Sequence, residues 1–403
     1  MNTDKHRFYF NFITRLLVQT LCILCVLCGS FLSAQAQTKA VWVRPFINAD
    51  AETRKDSAKG REFIRAELQK IKRADLNTVY LEAFWDGYTI YPSRVVPQRP
   101  LGINYGVAEN GKGWDVLRAY IEEGEKLGLK IHAWIHVFHQ WNTNLGGLEK
   151  SPIFSKHPDW TMLNAEGSPL VVAEAEGANR DIFKVFMSPS NREVRKYLRD
   201  VVGEIADKYP KLGGIQWDYI RYPLQTSGAP FDYNSLTLAV FRKETGLDAK
   251  KLDAKQMPRE WRIWQDWKTG QVTETVKELA LVVRKKQPRW EISAAVFPDI
   301  EENLRLKQQD WKDWSKKGYV DALLPMLYST NFERVEIWAK DFRADVAPQT
   351  KIYPALFIGH FYSAKTFDSR YLDLQTKFKF DGFGLFAAQS LTDDLIEKLA
   401  KRN

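Results

Sequence analysis

Acidic side chains stand in this sequence where a buried strand should carry only apolar ones, and those positions could do chemistry. In Gly213-Gly214-Ile215-Gln216-Trp217-Asp218-Tyr219-Ile220-Arg221-Tyr222-Pro223, Ile215, Trp217 and Tyr219 share one face of an extended chain. Gln216 and Asp218 share the other. A carboxylate is costly to bury unpaired, so Asp218 is either a functional group or half of an ion pair with Arg221 or Arg44. Two more acids lie in Thr78–Gly87. Glu82 falls on the face of Tyr80 and Phe84, and Asp86 sits just beyond, where it could equally cap the turn at Gly87. Glu82 could equally be a buried structural carboxylate paired with a cation from a neighbouring strand. Glycoside hydrolysis needs two carboxyl groups, one protonated to assist the leaving oxygen and one ionised as nucleophile or as base for water. Asp218 with Asp86 or Glu82 could supply the pair. Asp299, Glu301 and Glu302 are further possible acids, although acids also favour the first turn of a helix.

Other chemistries find less support. His132, Trp134 and His136 alternate with Ile131, Ala133 and Ile135, so one face of that segment is polar and aromatic. Two histidines four residues apart on a strand are about 13 Å apart along its axis, too far to share one ion. No metal and no cofactor is expected; His136 suits a sugar hydroxyl and His132 a satisfied core position. No Gly-x-Ser-x-Gly elbow occurs, and no Gly-x-Gly-x-x-Gly turn follows any strand. The three cysteines, Cys22, Cys25 and Cys28, all fall in the N-terminal 36 residues.

The elements that must position these residues alternate regularly. Short apolar, β-branched segments are expected as strands at Ala40–Phe46, Thr78–Phe84, Lys130–Val137, Gly214–Ile220, Glu291–Phe297, Ala322–Leu327, Lys351–Phe357 and Gly382–Phe386. Helical patterns separate them at Gly60–Ala74, Trp114–Leu127, Arg192–Lys208 and Trp261–Lys286, with shorter ones at Trp311–Lys317, Val335–Asp341 and Leu391–Lys401. Eight such alternations predict an α/β fold, a (β/α)8 TIM barrel; a doubly wound open sheet is the fallback. Two connections are long, 138–190 after the third strand and 221–258 after the fourth. Both leave the carboxyl ends of strands, where such barrels bind substrate, and Trp141, Trp160, Phe231 and Tyr233 suit a carbohydrate-binding rim there.

The N-terminus reads as a secretory signal peptide over residues 1–36. Lys5, Arg7 and Arg15 precede an almost uncharged run from Leu16 to Leu32, closed by Ala34-Gln35-Ala36. The remaining 37–403 is expected to be one domain, a monomer without cysteines, exported to the periplasm or secreted, with no stable membrane anchor after cleavage. Removing three basic and one acidic residue lowers the net charge from +9 to +7. That charge permits a polyanionic partner such as a cell-wall glycan, while no basic run marks a nucleic-acid binder.

These segments resemble the glycosyl hydrolase-like 10 family, which includes bacterial cell-wall glycan hydrolases. The likeness lies in Val41-Trp42-Val43, Leu76–Val79 through Asp86-Gly87, Tyr91-Pro92-Ser93, His132-Ala133-Trp134, Pro189–Val194 and, most specifically, Gly214–Pro223. It continues through Ala294–Phe297, Pro325–Tyr328 and Gly382–Phe386. The resemblance implies a TIM barrel hydrolysing glycosidic bonds in polysaccharide or peptidoglycan glycan strands, with Asp218 and Asp86 at acidic positions. Two positions depart from it: Ser188 stands where the family often has Asp, and Glu82 where it has an amide. Trp42, Arg44, Trp85, Trp134, His136, Trp217, Arg221, Tyr222 and Tyr328 are expected to line sugar subsites, aromatic faces stacking on rings and Arg or His bonding hydroxyls or carboxylates. Trp42 and Trp217 are also the residues whose strand phase could bury them in the core.

Overall fold

The computed structural model describes residues 37–170, 181–224, 230–360 and 369–401. The expected signal segment and its cysteines lie outside them. Eight parallel strands form the sheet: β1 Thr38–Val43, β2 Thr78–Trp85, β3 Lys130–His136, β4 Gly214–Asp218, β5 Glu291–Val296, β6 Ala322–Pro325, β7 and β8 Gly382–Phe386. β7 is split into Lys351–Ile352 and Ala355–Phe357 around Tyr353-Pro354, because proline has no N–H to give to the ladder. Its first half pairs with β6 and its second with β8, while β8 pairs with β1, so the sheet closes on itself. The fold is the TIM barrel.

Each strand is followed by a helix: α1 Ser57–Arg73, α2 Val116–Lys126, α3 Arg192–Lys208, α4 Pro258–Lys286, α5 Trp311–Lys316, α6 Phe332–Asp345, α7 Arg370–Lys377 and α8 Asp393–Ala400. Their apolar stripes cover the outward strand residues, Val79, Leu81, Ile131, Ile215 and Trp217 among them, in one buried layer. A second layer fills the barrel with Ala40, Trp42, Tyr80, Trp134, Leu324 and Tyr353. Gly384 of β8 makes room for Trp42, since a Cβ there would lie 2.6 Å from the indole.

The short helix α7 and a helix at Ser235–Thr245 were not expected from the sequence. Nor was the hairpin pairing His139–Asn142 with Lys184–Phe186 that organises the connection after β3. The loop aromatics are not a rim, contrary to expectation. Trp141, Trp160, Phe231 and Tyr233 are buried, because a long connection must bury apolar surface of its own to hold a shape.

Candidate active site

Three local departures from regular strand geometry build the site at the carboxyl end of the barrel. The β2–β3 ladder shifts register between Glu82 and Phe84, leaving Ala83 as the extra residue of a β-bulge. Glu82 therefore keeps an inward position opposite Trp134, whereas Phe84 pairs with Ile135 and turns to the helix layer, 6.4 Å from the ring of Tyr197. Strict alternation, which would keep Glu82 and Phe84 on one face, fails here. The second departure is Asp86 at φ 49°, followed by Gly87 at 74°. The third is Tyr219 at φ 49°, which swings its ring off the face of Trp217 to lie 4.6 Å from His136 and 4.9 Å from His139. Left-handed backbone at such residues carries strain that surrounding structure must hold.

Glu82 and Asp218 stand on β2 and β4, to either side of β3. Glu82 is 2% exposed, with Oε1 3.1 Å from His136 Nε2 and Oε2 3.8 Å from Arg44 Nε. Neither contact is a hydrogen bond as it stands, the first being off axis and the second too long, as such contacts often are before substrate binds. Burial pushes the Glu82 carboxyl above the usual range, against the pull of Arg44 and Arg99. Asp218 is partly buried and accepts hydrogen bonds from Trp134 Nε1 at 3.0 Å and from the backbone N–H of Tyr219 at 2.7 Å. The ion pair weighed for Asp218 is not made: Arg44 lies against Glu82, and Arg221 donates to Asp181 at 2.8 Å. Burial alone would raise the Asp181 carboxyl, but Arg221 and Lys184 hold it well below the usual range.

Asp86, 6% exposed, faces inward to the protein. Its Oδ2 meets both terminal nitrogens of Arg99 at 3.4 Å, and its Oδ1 lies 3.6 Å from His139 Nε2. His139 comes from the hairpin after β3, and its Nδ1 lies 3.2 Å from Nδ1 of His136. Burial pushes both imidazoles down to about 3, leaving them neutral at ordinary pH. Asp299 caps a short helix, Ile300–Leu306, by accepting from the N–H of Glu302, and Glu302 pairs with Lys307.

The remaining expected subsite residues divide. Arg44, its side chain 36% exposed, sits over the ring of Phe386 at 5.7 Å. Tyr328, Phe357 and Phe386 are each partly exposed and meet with centroids 5.5–6.0 Å apart, an aromatic wall at the mouth. Trp134 and His136 lie behind the carboxyl pair, with Trp42 deeper in the barrel, donating from Nε1 to Gln216 at 2.6 Å. Trp85 lies under the guanidinium of Arg99 at 4.5 Å. Trp217 is fully buried in the helix-facing layer, and Tyr222, also fully buried, donates to Asp232 at 2.7 Å. Neither reaches the mouth, so the expectation that they line subsites is corrected: strand phase sends Trp217 outward, and Tyr222 anchors the loop after β4. His139, Tyr219, Phe357 and Phe386 were missed. The sequence signal available was the His139-Gln140-Trp141-Asn142 run of polar and aromatic residues just beyond β3.

A closed parallel barrel with acids at the carboxyl ends of its strands is the architecture of many glycosidases. The chain belongs to the glycosyl hydrolase-like 10 family, whose model matches residues 37–371. Glycosyl hydrolase DigH of Escherichia coli (strain K12) is 22% identical over 320 residues, 73% of this chain and 64% of that one. Glycosyl hydrolase YngK of Bacillus subtilis (strain 168) is 22% identical over 313 residues, 72% of this chain and 54% of that one. The chain thus spans less than two thirds of the length of these relatives. In structure it is similar to the catalytic domain of β-amylase from Paenibacillus polymyxa, with a TM-score of 0.56 and 13% identity over 89% of this chain and 94% of that one. The β-galactosidase Gan42B gives a TM-score of 0.57 at 12% identity over 91% and 56%. At these identities the structural likeness speaks for the fold.

Proposed function

We propose that this protein is an exported glycoside hydrolase that cleaves glycosidic bonds in a cell-wall glycan, peptidoglycan strands foremost. One observation carries the reading. Two carboxyls flank β3 at the carboxyl end of the barrel in different environments, Glu82 buried and pushed toward its protonated form, Asp218 partly exposed and accepting two N–H bonds. That division suits a proton donor for the leaving oxygen and an ionised nucleophile or base. Asp86 is the weaker partner, because its oxygens face Arg99 and His139. Tyr328, Phe357 and Phe386 would stack on sugar rings, and Arg44 would bond a hydroxyl or carboxylate. Export rests on residues 1–36.

The test is incubation of the protein and its Asp218→Asn variant with peptidoglycan, peptide-free glycan strands and a polysaccharide panel, with products read by mass spectrometry. New reducing ends from the wild type alone support the reading and name the substrate. Binding without products from either protein moves the function to a non-catalytic glycan-binding barrel.

A further inference from the structure

We propose that His139 is a positioning residue that fixes the proton on Glu82, through a one-way hydrogen-bond relay starting at the backbone carbonyl of Trp141. This rests on the glycosidase reading above and adds how the acid keeps its proton.

The direction follows from the partners. His139 Nε2 lies 3.1 Å from the carbonyl oxygen of Trp141 and 3.6 Å from Asp86 Oδ1. The carbonyl only accepts, and an ionised carboxylate does the same, so Nε2 carries the hydrogen. A neutral His139 then has a bare Nδ1. That nitrogen is 3.2 Å from His136 Nδ1, so the hydrogen between them belongs to His136. A neutral His136 is then left with a bare Nε2, facing Glu82 Oε1 at 3.1 Å. The contact is off axis as it stands; a carboxylate oxygen beside that lone pair is repulsive, whereas a carboxyl O–H turned toward it can donate. The opposite direction would set a bare Nε2 of His139 against a carbonyl and a carboxylate together. A doubly protonated histidine would put a charge where burial is nearly complete, since His136 is 5% and His139 3% exposed.

The surroundings hold this arrangement. His136 faces Asp218, Tyr219 and Arg44, with Lys184 and Arg99 farther off. His139 faces Asp86, with Lys184 and Asp181 also acting on it. Glu82 keeps Oε2 toward Arg44, and a neutral carboxyl can still accept there. Gln140 braces the relay, donating to the carbonyl of His136 and accepting from the N–H of Gly87. Asp86 thereby gains a role without touching substrate, since it favours the hydrogen on Nε2 of His139.

Imidazole 15N NMR of the full chain, with and without His139→Phe and His139→Asn, tests the relay without needing turnover. The wild type should show His136 with hydrogen on Nδ1 and a bare Nε2. His139→Phe removes the acceptor and should let His136 move its hydrogen to Nε2, where it favours ionised Glu82. The alkaline limb of kcat/KM should then fall by about one pH unit, since a bond donated to the charged form lowers a carboxyl pKa. His139→Asn, whose amide oxygen falls near the place of Nδ1, should retain the wild-type tautomer and limb. Hydrogen on Nε2 of His136 in the wild type would overturn the relay, as would an unmoved limb in a folded His139→Phe protein. Correct tautomers in a protein that cleaves no glycan would leave the relay standing and remove the glycosidase reading instead.

Discussion

Asp218 and Glu82 are made different by their neighbours. One takes two N–H donors at a partly exposed position, and the other is buried between Nε2 of His136 and the guanidinium of Arg44. The indole of Trp134 is the side chain that orients Asp218. Trp134→Phe should lower kcat by roughly tenfold with KM little changed, in keeping with loss of one donor at a reacting group; steady-state kinetics on cleavable glycan checks it. Asp218 was legible in the sequence because it interrupts an apolar strand, and Glu82 for the same reason. His139 and Tyr219 were not, because one reaches the site through a hairpin between distant segments and the other through left-handed backbone. Alternation along a strand encodes neither.

At the scale of elements, the eight strands and their order could be read because each apolar run is short and each helix between carries a stripe. The bulge at Ala83 could not, since nothing in Leu81–Trp85 marks one residue as extra. α7 was missed because its buried apolar residues, Tyr371, Leu372 and Leu374, crowd into one turn and give no repeat. Asp299, weighed as an acid, belongs to this scale as a helix cap. Asp299→Ala should cost about 1 kcal/mol of stability while leaving turnover within twofold, measured by denaturant unfolding beside an activity assay. Gly384 is likewise an element's requirement, since its missing Cβ is where Trp42 packs. Gly384→Val should destabilise the fold by ~1–3 kcal/mol through overpacking, seen as a lower midpoint in the same unfolding experiment.

The whole molecule stores three neutral histidines in its barrel and mouth. His132 is pushed down to about 4, and His136 and His139 to about 3, from an ordinary 6.5, by burial. Below pH 6.5 the unfolded chain takes up protons that the folded one refuses. Their contribution to stability is therefore complete above 6.5 and is lost as pH falls toward 3. His132, His136 and His139 should keep neutral-imidazole 15N shifts between pH 6.5 and 5, where a free histidine titrates; protonation of any of them in that window would contradict the burial of these rings. The central claim, that Glu82 gives the proton and Asp218 does the ionised carboxylate's work, is tested most directly by leaving-group dependence. Once the glycan panel names the sugar, kcat/KM of Glu82→Gln and Asp218→Asn should be compared on the natural glycan and on an aryl glycoside with an activated leaving group. Glu82→Gln should be severely impaired on the glycan and close to wild type on the activated substrate, whereas Asp218→Asn should be inactive on both. Equal losses on both substrates for Glu82→Gln, or turnover by Asp218→Asn, would contradict the assignment.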